Sequence, residues 1–212
     1  MQNNVDLKKI GSVLLRFVSY GLILLVVAKI IEIDMLDQSV KEGELIENSQ
    51  EILVFITAVI AAVVGYKHPR IRVFSYVFSA IAVVSLIREM DKYLEINLFD
   101  KAWQTLALVV ILPTLWFAYK NRSKFIDQLY GIFNTFSFGL MFTGAIIIHV
   151  FARLFGRQSI WKTLMTEENY IRAIKDAVEE GVELMGYAII FMGAIELALL
   201  FSTSKSEQLT NT

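Results

Sequence analysis

The sequence predicts an all-α protein, a six-helix transmembrane bundle with an amphipathic surface helix before the last span, and three observations carry that prediction. Hydrophobic residues make up 56% of the 212-residue chain and the mean hydropathy is +0.56, above the apolar share of about 45 to 50% usual in soluble domains. The 20 Lys/Arg and 21 Asp/Glu gather in short segments between apolar runs. Each of six such runs approaches the ~20 residues that a helix rising ~1.5 Å per residue needs to cross a ~30 Å hydrocarbon layer.

In order, the spans run from about Ser12 to Ile31, Glu47 to Tyr66, Ile71 to Arg88, Ala102 to Tyr119, Leu129 to His149 and Glu183 to Phe201. The first follows Lys8 and Lys9 as a signal peptide would, but it is too long for one and no small-x-small cleavage site follows, so it reads as a retained span. None of the runs alternates polar and apolar residues as a barrel strand does. A backbone in lipid must satisfy its own hydrogen bonds, so helices follow for all six. Pro113 removes one backbone donor from the fourth and predicts a kink there. Trp103, Trp116, Tyr66, Tyr93 and Tyr130 fall near span ends, as an aromatic belt would.

The segment 153–181 is more than a linker. Thr166-Glu167-Glu168 is a helix start, and Tyr170, Ile171, Ile174, Val178 and Val182 recur at helical spacing. An amphipathic surface helix from Glu167 to Val178 is expected, bending at Gly181 into the last span. Ahead of it, Ile160, Trp161, Leu164 and Met165 are expected to dip into the headgroups. Residues 1–203 form one transmembrane domain, and 204–212 read as a disordered cytoplasmic tail.

Charge sets the expected orientation. The N-terminus, the turns 66–72 and 120–124 and the C-terminal tail fall on one side, which holds nine Lys/Arg against three acids, while the other side holds seventeen acids. The basic side is expected in the cytoplasm, with both termini. A net charge of -1 implies no nucleic-acid partner, and the absence of Cys removes disulfides, thiolate metal sites and cysteine nucleophiles. Any metal would need oxygen or imidazole ligands.

Counted from the cytoplasmic turns, four spans bring polar residues to one outer level: Glu47, Gln50 and Glu51; Arg88, Glu89 and Asp91; His149 and Arg153; Glu179, Glu180 and Glu183. Glu44, Glu47 and Glu51 stack on one helix face, and Glu183 stands three and four residues from Glu180 and Glu179. Such groups are costly at membrane depth unless they face a watery or protein interior. Carboxylates that oppose one another need a cation, a proton or Arg88 between them. A plainer account exists, since acids in a helix's first turns gain about 0.3 to 1 kcal/mol each from the macrodipole. It covers Glu42, Glu44, Glu47, Glu179 and Glu180, but not Glu89 and Asp91 at the end of a span. Deeper in the bilayer, Arg16 and Glu196 fall at similar depth, where a structural pair and a proton-carrying carboxylate are the two readings. Lys29 is expected to snorkel to the headgroups and His68 to lie in a basic surface turn.

Three motifs, Glu42-x4-Glu47-x2-Gln50, Arg88-Glu89-x-Asp91 and Glu179-Glu180-x2-Glu183, make the chain resemble a family of small bacterial multi-span membrane proteins without an established activity. That resemblance implies a bacterial inner membrane. In general plan the chain is also similar, more weakly, to the ceramidase-like membrane hydrolases, whose zinc is held by three His; only His149 stands on the corresponding face here.

The leading functional expectation is a metal-binding membrane protein that acts as a hydrolase on a lipid or envelope molecule. Glu47, Asp91, His149 and Glu183 would ligate a divalent metal ion, with Glu51 or Glu89 as general base on the bound water. Arg88 would bind an anionic group or hold the carboxylates apart, and the surface helix would cover the site. Two rivals stay open. One is a cation or proton transporter that uses Glu196; the other is a non-catalytic membrane subunit that docks a protein partner through acids such as Glu95 and Asp100.

Overall fold

The computed structural model of the chain describes residues 7–36, 44–165 and 172–210, all side chains among them except those of 7–9, 44 and 203–210. The described residues contain helices and no strand. Six helices are long and apolar enough to cross a membrane: Ile10–Leu36, Leu45–Lys67, Pro69–Glu89, Ala102–Lys120, Phe136–Phe155 and Arg172–Ser202. The chain is therefore a multi-pass membrane protein. Helix faces rich in exposed Leu, Val, Ile and Phe, such as Leu14, Leu15, Val18, Leu22 and Leu25 on the first helix, supply the surface that lipid would wet.

The first two helices are α1, Leu7–Leu36, and α2, Glu44–Lys67. A tight turn at Pro69–Ile71 reverses the chain into α3, Arg72–Glu89, with proline at the first helical position where its missing N–H costs nothing. The short α4, Asp91–Asn97, caps the far end of the bundle, and α5, Ala102–Lys120, returns with Pro113 inside it. After α6, Arg122–Ile132, come α7, Phe136–Ile146, a π-helical stretch Ile147–Ala152 and the short α8, Arg153–Phe155. The chain closes with α9, Gln158–Met165, and α10, Arg172–Thr210.

Four spans lie close to where the sequence places them; the sixth starts early, at Arg172 rather than Glu183, and the fifth starts late. The run expected from Leu129 is broken at 133–135, and its membrane helix begins at Phe136. Thr135 makes the break. Its backbone is extended, its hydroxyl accepts the N–H of Phe138 at 3.3 Å and donates to the Ile132 carbonyl at 2.6 Å, which is an N-cap arrangement. The preceding α6 lies against α3 instead, where the Gln128 Oε1 accepts the Phe74 N–H at 2.9 Å and Phe125 stacks on Phe74. The outer residues of the fifth span are thereby set back along its axis.

The expected surface helix also differs. Residues 166–171, which hold its predicted start, lie outside the described residues. From Arg172 onward the chain is already α10, continuous through Gly181, so Ile174 and Val178 belong to the last membrane helix. The amphipathic helix before that span is α9, where the Trp161 indole N–H donates to the Phe155 carbonyl. At the other end α10 continues as helix to Thr210, where an unstructured tail was expected from 204.

α10 is the central element, packed on α1, α2, α7 and the π-helical stretch. Its seam with α7 is close because Gly144 faces it: a Cβ there would lie 2.7 Å from the Gly186 carbonyl oxygen. Ser137 adds a hydrogen bond across the same seam, to the Gly193 carbonyl at 2.8 Å. Small residues and interhelical hydrogen bonds are how helices associate in lipid, where burial of apolar surface gives little net drive.

Arg16 and Glu196 meet across the α1–α10 contact. Arg16 Nη1 reaches Glu196 Oε2 at 2.9 Å, and the Tyr20 hydroxyl donates to Oε1 at 2.6 Å. Both carboxylate oxygens are thus satisfied, as in a structural pair. Glu196→Leu would strand the Arg16 charge; since Arg16 is 38% exposed, the cost is expected at about 1–2 kcal/mol rather than the ~3–5 of a fully buried pair. Thermal unfolding in detergent checks this, with the Arg16→Met/Glu196→Met double variant expected to melt near the parent.

Candidate functional site

A polar cavity of about 190 Å³ opens at the end of the bundle away from the chain termini. Four parts of the fold deliver its walls. α2 brings Glu47 and Gln50 in its first two turns, α3 ends in Arg88 and Glu89, and α4 begins with Asp91. Arg153 comes from α8, and Glu179, Glu180 and Glu183 from one side of α10.

Cations stand between the carboxylates. Arg88 Nη2 lies 3.1 Å from Glu89 Oε1 and 3.2 Å from Glu183 Oε1, bridging acids from two helices. Glu89 also accepts a hydrogen bond from the Tyr187 hydroxyl at 2.6 Å. Lys92 Nζ pairs with Glu47, and that hydrogen bond, the leading cause, raises the Lys92 pKa above its usual value, so the ammonium is held charged across the neutral range. Glu179 is paired twice, with Lys175 Nζ at 2.8 Å and Arg153 Nη1 at 3.7 Å. Its carboxylate lies over Gly156, where a Cβ would come within 2.3 Å of Oε1.

Three acceptors in the cavity are less well served. Asp91 and Glu180 have no ion-pair partner among the described residues, although Asp91 Oδ1 takes the Lys92 backbone N–H. Gln50, only 1% exposed, donates from Nε2 to the Glu180 carbonyl at 2.9 Å. No hydrogen bond from the described residues reaches its Oε1.

The structure gathers most of the expected cluster. Glu47, Gln50, Arg88, Glu89, Asp91, Glu179, Glu180 and Glu183 line one cavity, and both members of the Glu179-Glu180 pair face it. Glu51, one turn deeper on α2, does not line it, and Glu42 lies outside the described residues. His149 does not join either, because the late start of the fifth span leaves it below the cavity; Arg153, one turn on, reaches the level expected of His149. Of the four expected metal ligands, Glu47, Asp91 and Glu183 thus share the cavity without His149. Among the described residues no three His, Cys, Asp or Glu side chains converge closely enough to hold a metal ion.

The plain macrodipole account gains one residue. Since a new helix starts at Asp91, that acid sits in a first turn, where it is favoured. Glu89 remains at the end of α3, and Arg88 and Tyr187 offset it. Sequence reasoning missed Tyr187 and Lys175, although each stands four residues from a site acid on α10, Glu183 and Glu179.

Below the polar cavity lies a larger one of about 660 Å³, a slot between α3 and α10 behind and α5 and α7 at the sides. Phe78, Ile81, Ile111, Leu115, Phe142 and Ile190 make it apolar for most of its length. At its upper end Arg88, His149, Trp103 and Tyr187 supply polar atoms. Arg88 is the residue common to slot and polar cavity. Toward Glu196, Ser79 and Ser137 each spend their hydroxyl on a backbone carbonyl.

The chain matches no protein-family model, no curated protein and no solved structure.

Proposed function

We propose that this chain is a bacterial inner-membrane protein, both termini in the cytoplasm, that binds a lipid or envelope amphiphile with its polar part in the outer cavity and its apolar part in the slot. The observation that carries this reading is Arg88, which lines both spaces, so that a charged chamber and an apolar one share a wall. A water-soluble ligand has no use for the slot. An apolar one has no use for six carboxylates. The orientation is supported by Lys67, Arg70, Arg72, Lys120, Arg122 and Lys124, which cluster at the end of the bundle that carries the termini.

The test is to fill the slot without touching the charges. Ala145, half-buried on α7, lines it, and Ala145→Trp is expected to remove at least about nine-tenths of the lipid that remains on the purified protein, some 1.4 kcal/mol in affinity. Native mass spectrometry after detergent exchange reads this directly. Unchanged retention would end the amphiphile reading.

A second reading keeps the metal-dependent hydrolase. It is favoured by the number of carboxylates around one chamber, Glu47, Glu89, Asp91, Glu179, Glu180 and Glu183. A divalent cation held by Glu47, Asp91 and Glu183 would require Lys92 and Arg88 to withdraw, and Glu89 would then serve as base toward its water. Elemental analysis decides it: a stoichiometric divalent metal lost in Asp91→Asn supports this reading, and metal-free active protein removes it.

A further inference from the structure

We infer that the amphiphile is an acyl lipid, its ester or amide carbonyl seated at the upper end of the slot among Ser85, Trp103 and His149 and its chain running down toward Phe74. The inference rests on the amphiphile reading above and names the chemical class of the ligand.

The polar groups at the upper end of the slot divide into two sets. Arg88 and Tyr187 are committed: the guanidinium stands between Glu89 and Glu183, and the Tyr187 hydroxyl donates to Glu89. Ser85, Trp103 and His149 are not. None of the three has a hydrogen bond, ion pair or ring contact among the described residues, and they come from three parts of the fold, α3, α5 and the π-helical stretch. Nor are they sealed in protein. Among the described residues the buried side-chain oxygen or nitrogen without a partner is Ser75 Oγ, so the polar atoms of half-buried Ser85 and Trp103 are accessible, and His149 is exposed. The space that all three border is the slot.

The backbone supplies a second, independent pointer. Single π-helical turns are rare and occur frequently at functional sites. The one at Ile147–Ala152 brings His149 to the slot while Ile148 beside it stays 3% exposed in the core.

What the three free groups share is the ability to donate. An indole N–H only donates, and a hydroxyl and an imidazole each offer a donor as well. Their common complement is an acceptor, and a carbonyl oxygen, with two lone pairs, can serve two of them at once. Charge narrows the choice. No Asp or Glu is among the residues that line the slot, so an ammonium would find no carboxylate there. The guanidinium at its upper end is already shared by two carboxylates, so a phosphate would find no uncommitted Arg or Lys. A neutral acceptor fits, and in membrane amphiphiles that is the carbonyl of an ester or amide linkage.

Depth agrees with this chemistry. Ser85 lies four residues inside the end of its span at Glu89, and Trp103 one residue inside the start of its own at Ala102, about 6 Å and ~2 Å at the helical rise. Acyl linkages of lipids lie at that same boundary between hydrocarbon and headgroups. Below it the lining on α3 continues from Ser85 to Phe74, roughly 17 Å at ~1.5 Å per residue. One leaflet of the hydrocarbon core is about 15 Å deep, so the slot accommodates a full acyl chain.

The experiment uses the full chain, purified and exchanged into detergent with an equimolar pair of phosphatidylcholines of identical chain length, one joined to glycerol by esters and the other by ethers. Native mass spectrometry counts retained lipid and separates the two by mass. The ester lipid is expected to exceed the ether lipid by about fivefold or more, the order of one net hydrogen bond. In the Trp103→Phe/His149→Leu double variant the ratio is expected to fall below about twofold while total retention and melting temperature hold. His149→Gln, which keeps an N–H donor, is expected to retain the parent's ratio. Ser85→Ala, the smallest change of the three, is expected to lower the ratio about twofold and reads the loss should the double variant melt early. Equal retention of the two lipids by the parent, an unchanged ratio in both the double variant and Ser85→Ala, a polyprenyl phosphate carried from the membrane in place of either lipid, or a co-purifying membrane helix would each overturn the inference. Failure of the underlying reading looks different: the parent retains no lipid, or Ala145→Trp retains as much as the parent.

Discussion

Arg88→Met is expected to cost about 3–5 kcal/mol, the range for breaking a buried ion pair by removing one partner. Arg88 alone stands between Glu89 and Glu183, whose side chains are 11% and 7% exposed and belong to different helices. Without the guanidinium the two carboxylates face each other at the membrane boundary, and one must take up a proton or the helices must part. At roughly 2–4 °C per kcal/mol for a chain of this size, thermal unfolding in detergent should begin about 10 °C lower. Glu183→Met placed on top should restore part of the loss, because Glu89 keeps its hydrogen bond from Tyr187. A melting temperature within a degree of the parent would mean that the bridge does not hold the far end of the bundle.

Gly144→Ala is expected to be nearly as severe, about 2–3 kcal/mol, because overpacking is worst where the obstacle cannot rotate away. The added methyl would meet the Gly186 carbonyl oxygen at 2.7 Å and the Ile190 nitrogen at 3.0 Å, both main-chain atoms of α10. Gly139→Ala in the same helix is the control, since nothing lies within 4 Å of its Cβ position. There the usual helical advantage of Ala over Gly, about 0.5–1 kcal/mol, should leave stability unchanged or raised. The same pair of variants, compared by lipid retention, reports on the slot, because α7 and α10 both contribute walls to it. Equal melting of the two would show that the seam has room to spare.

The fold was legible where hydropathy and charge agreed. Span ends at Lys67, Glu89 and Lys120 coincide with charges that cannot enter lipid, so length and polarity located them together. They disagreed once. From Leu129 to His149 the chain is apolar enough to hide the break at 133–135, and Asn134-Thr135, a capping signal, is too small a polar interruption to register in a hydropathy reading. That one displacement carried His149 out of the expected metal set, while the acids of α2, α3 and α10, counted from correctly located turns, met as expected. The ion partners were less visible. Tyr187 and Lys175 can be aligned with Glu183 and Glu179 by helical spacing, but nothing in the spacing says that Tyr187 reaches across to Glu89 on α3. The slot could not be read at all, since it exists only because α5 and α7 flank α3 without closing over it.

The π-helical stretch Ile147–Ala152 gives the fifth span two independent phases. A residue more per hydrogen-bonded turn offsets the outer third of the span from the inner part. Ile148 can thus stay locked in the core while His149 points into one chamber and Arg153, four places on, serves another. In an unbroken α-helix those two side chains would share a face. The offset turns the rim that Arg153 serves away from the face on which Ile148 packs against Gly186, so one helix presents two differently aimed surfaces.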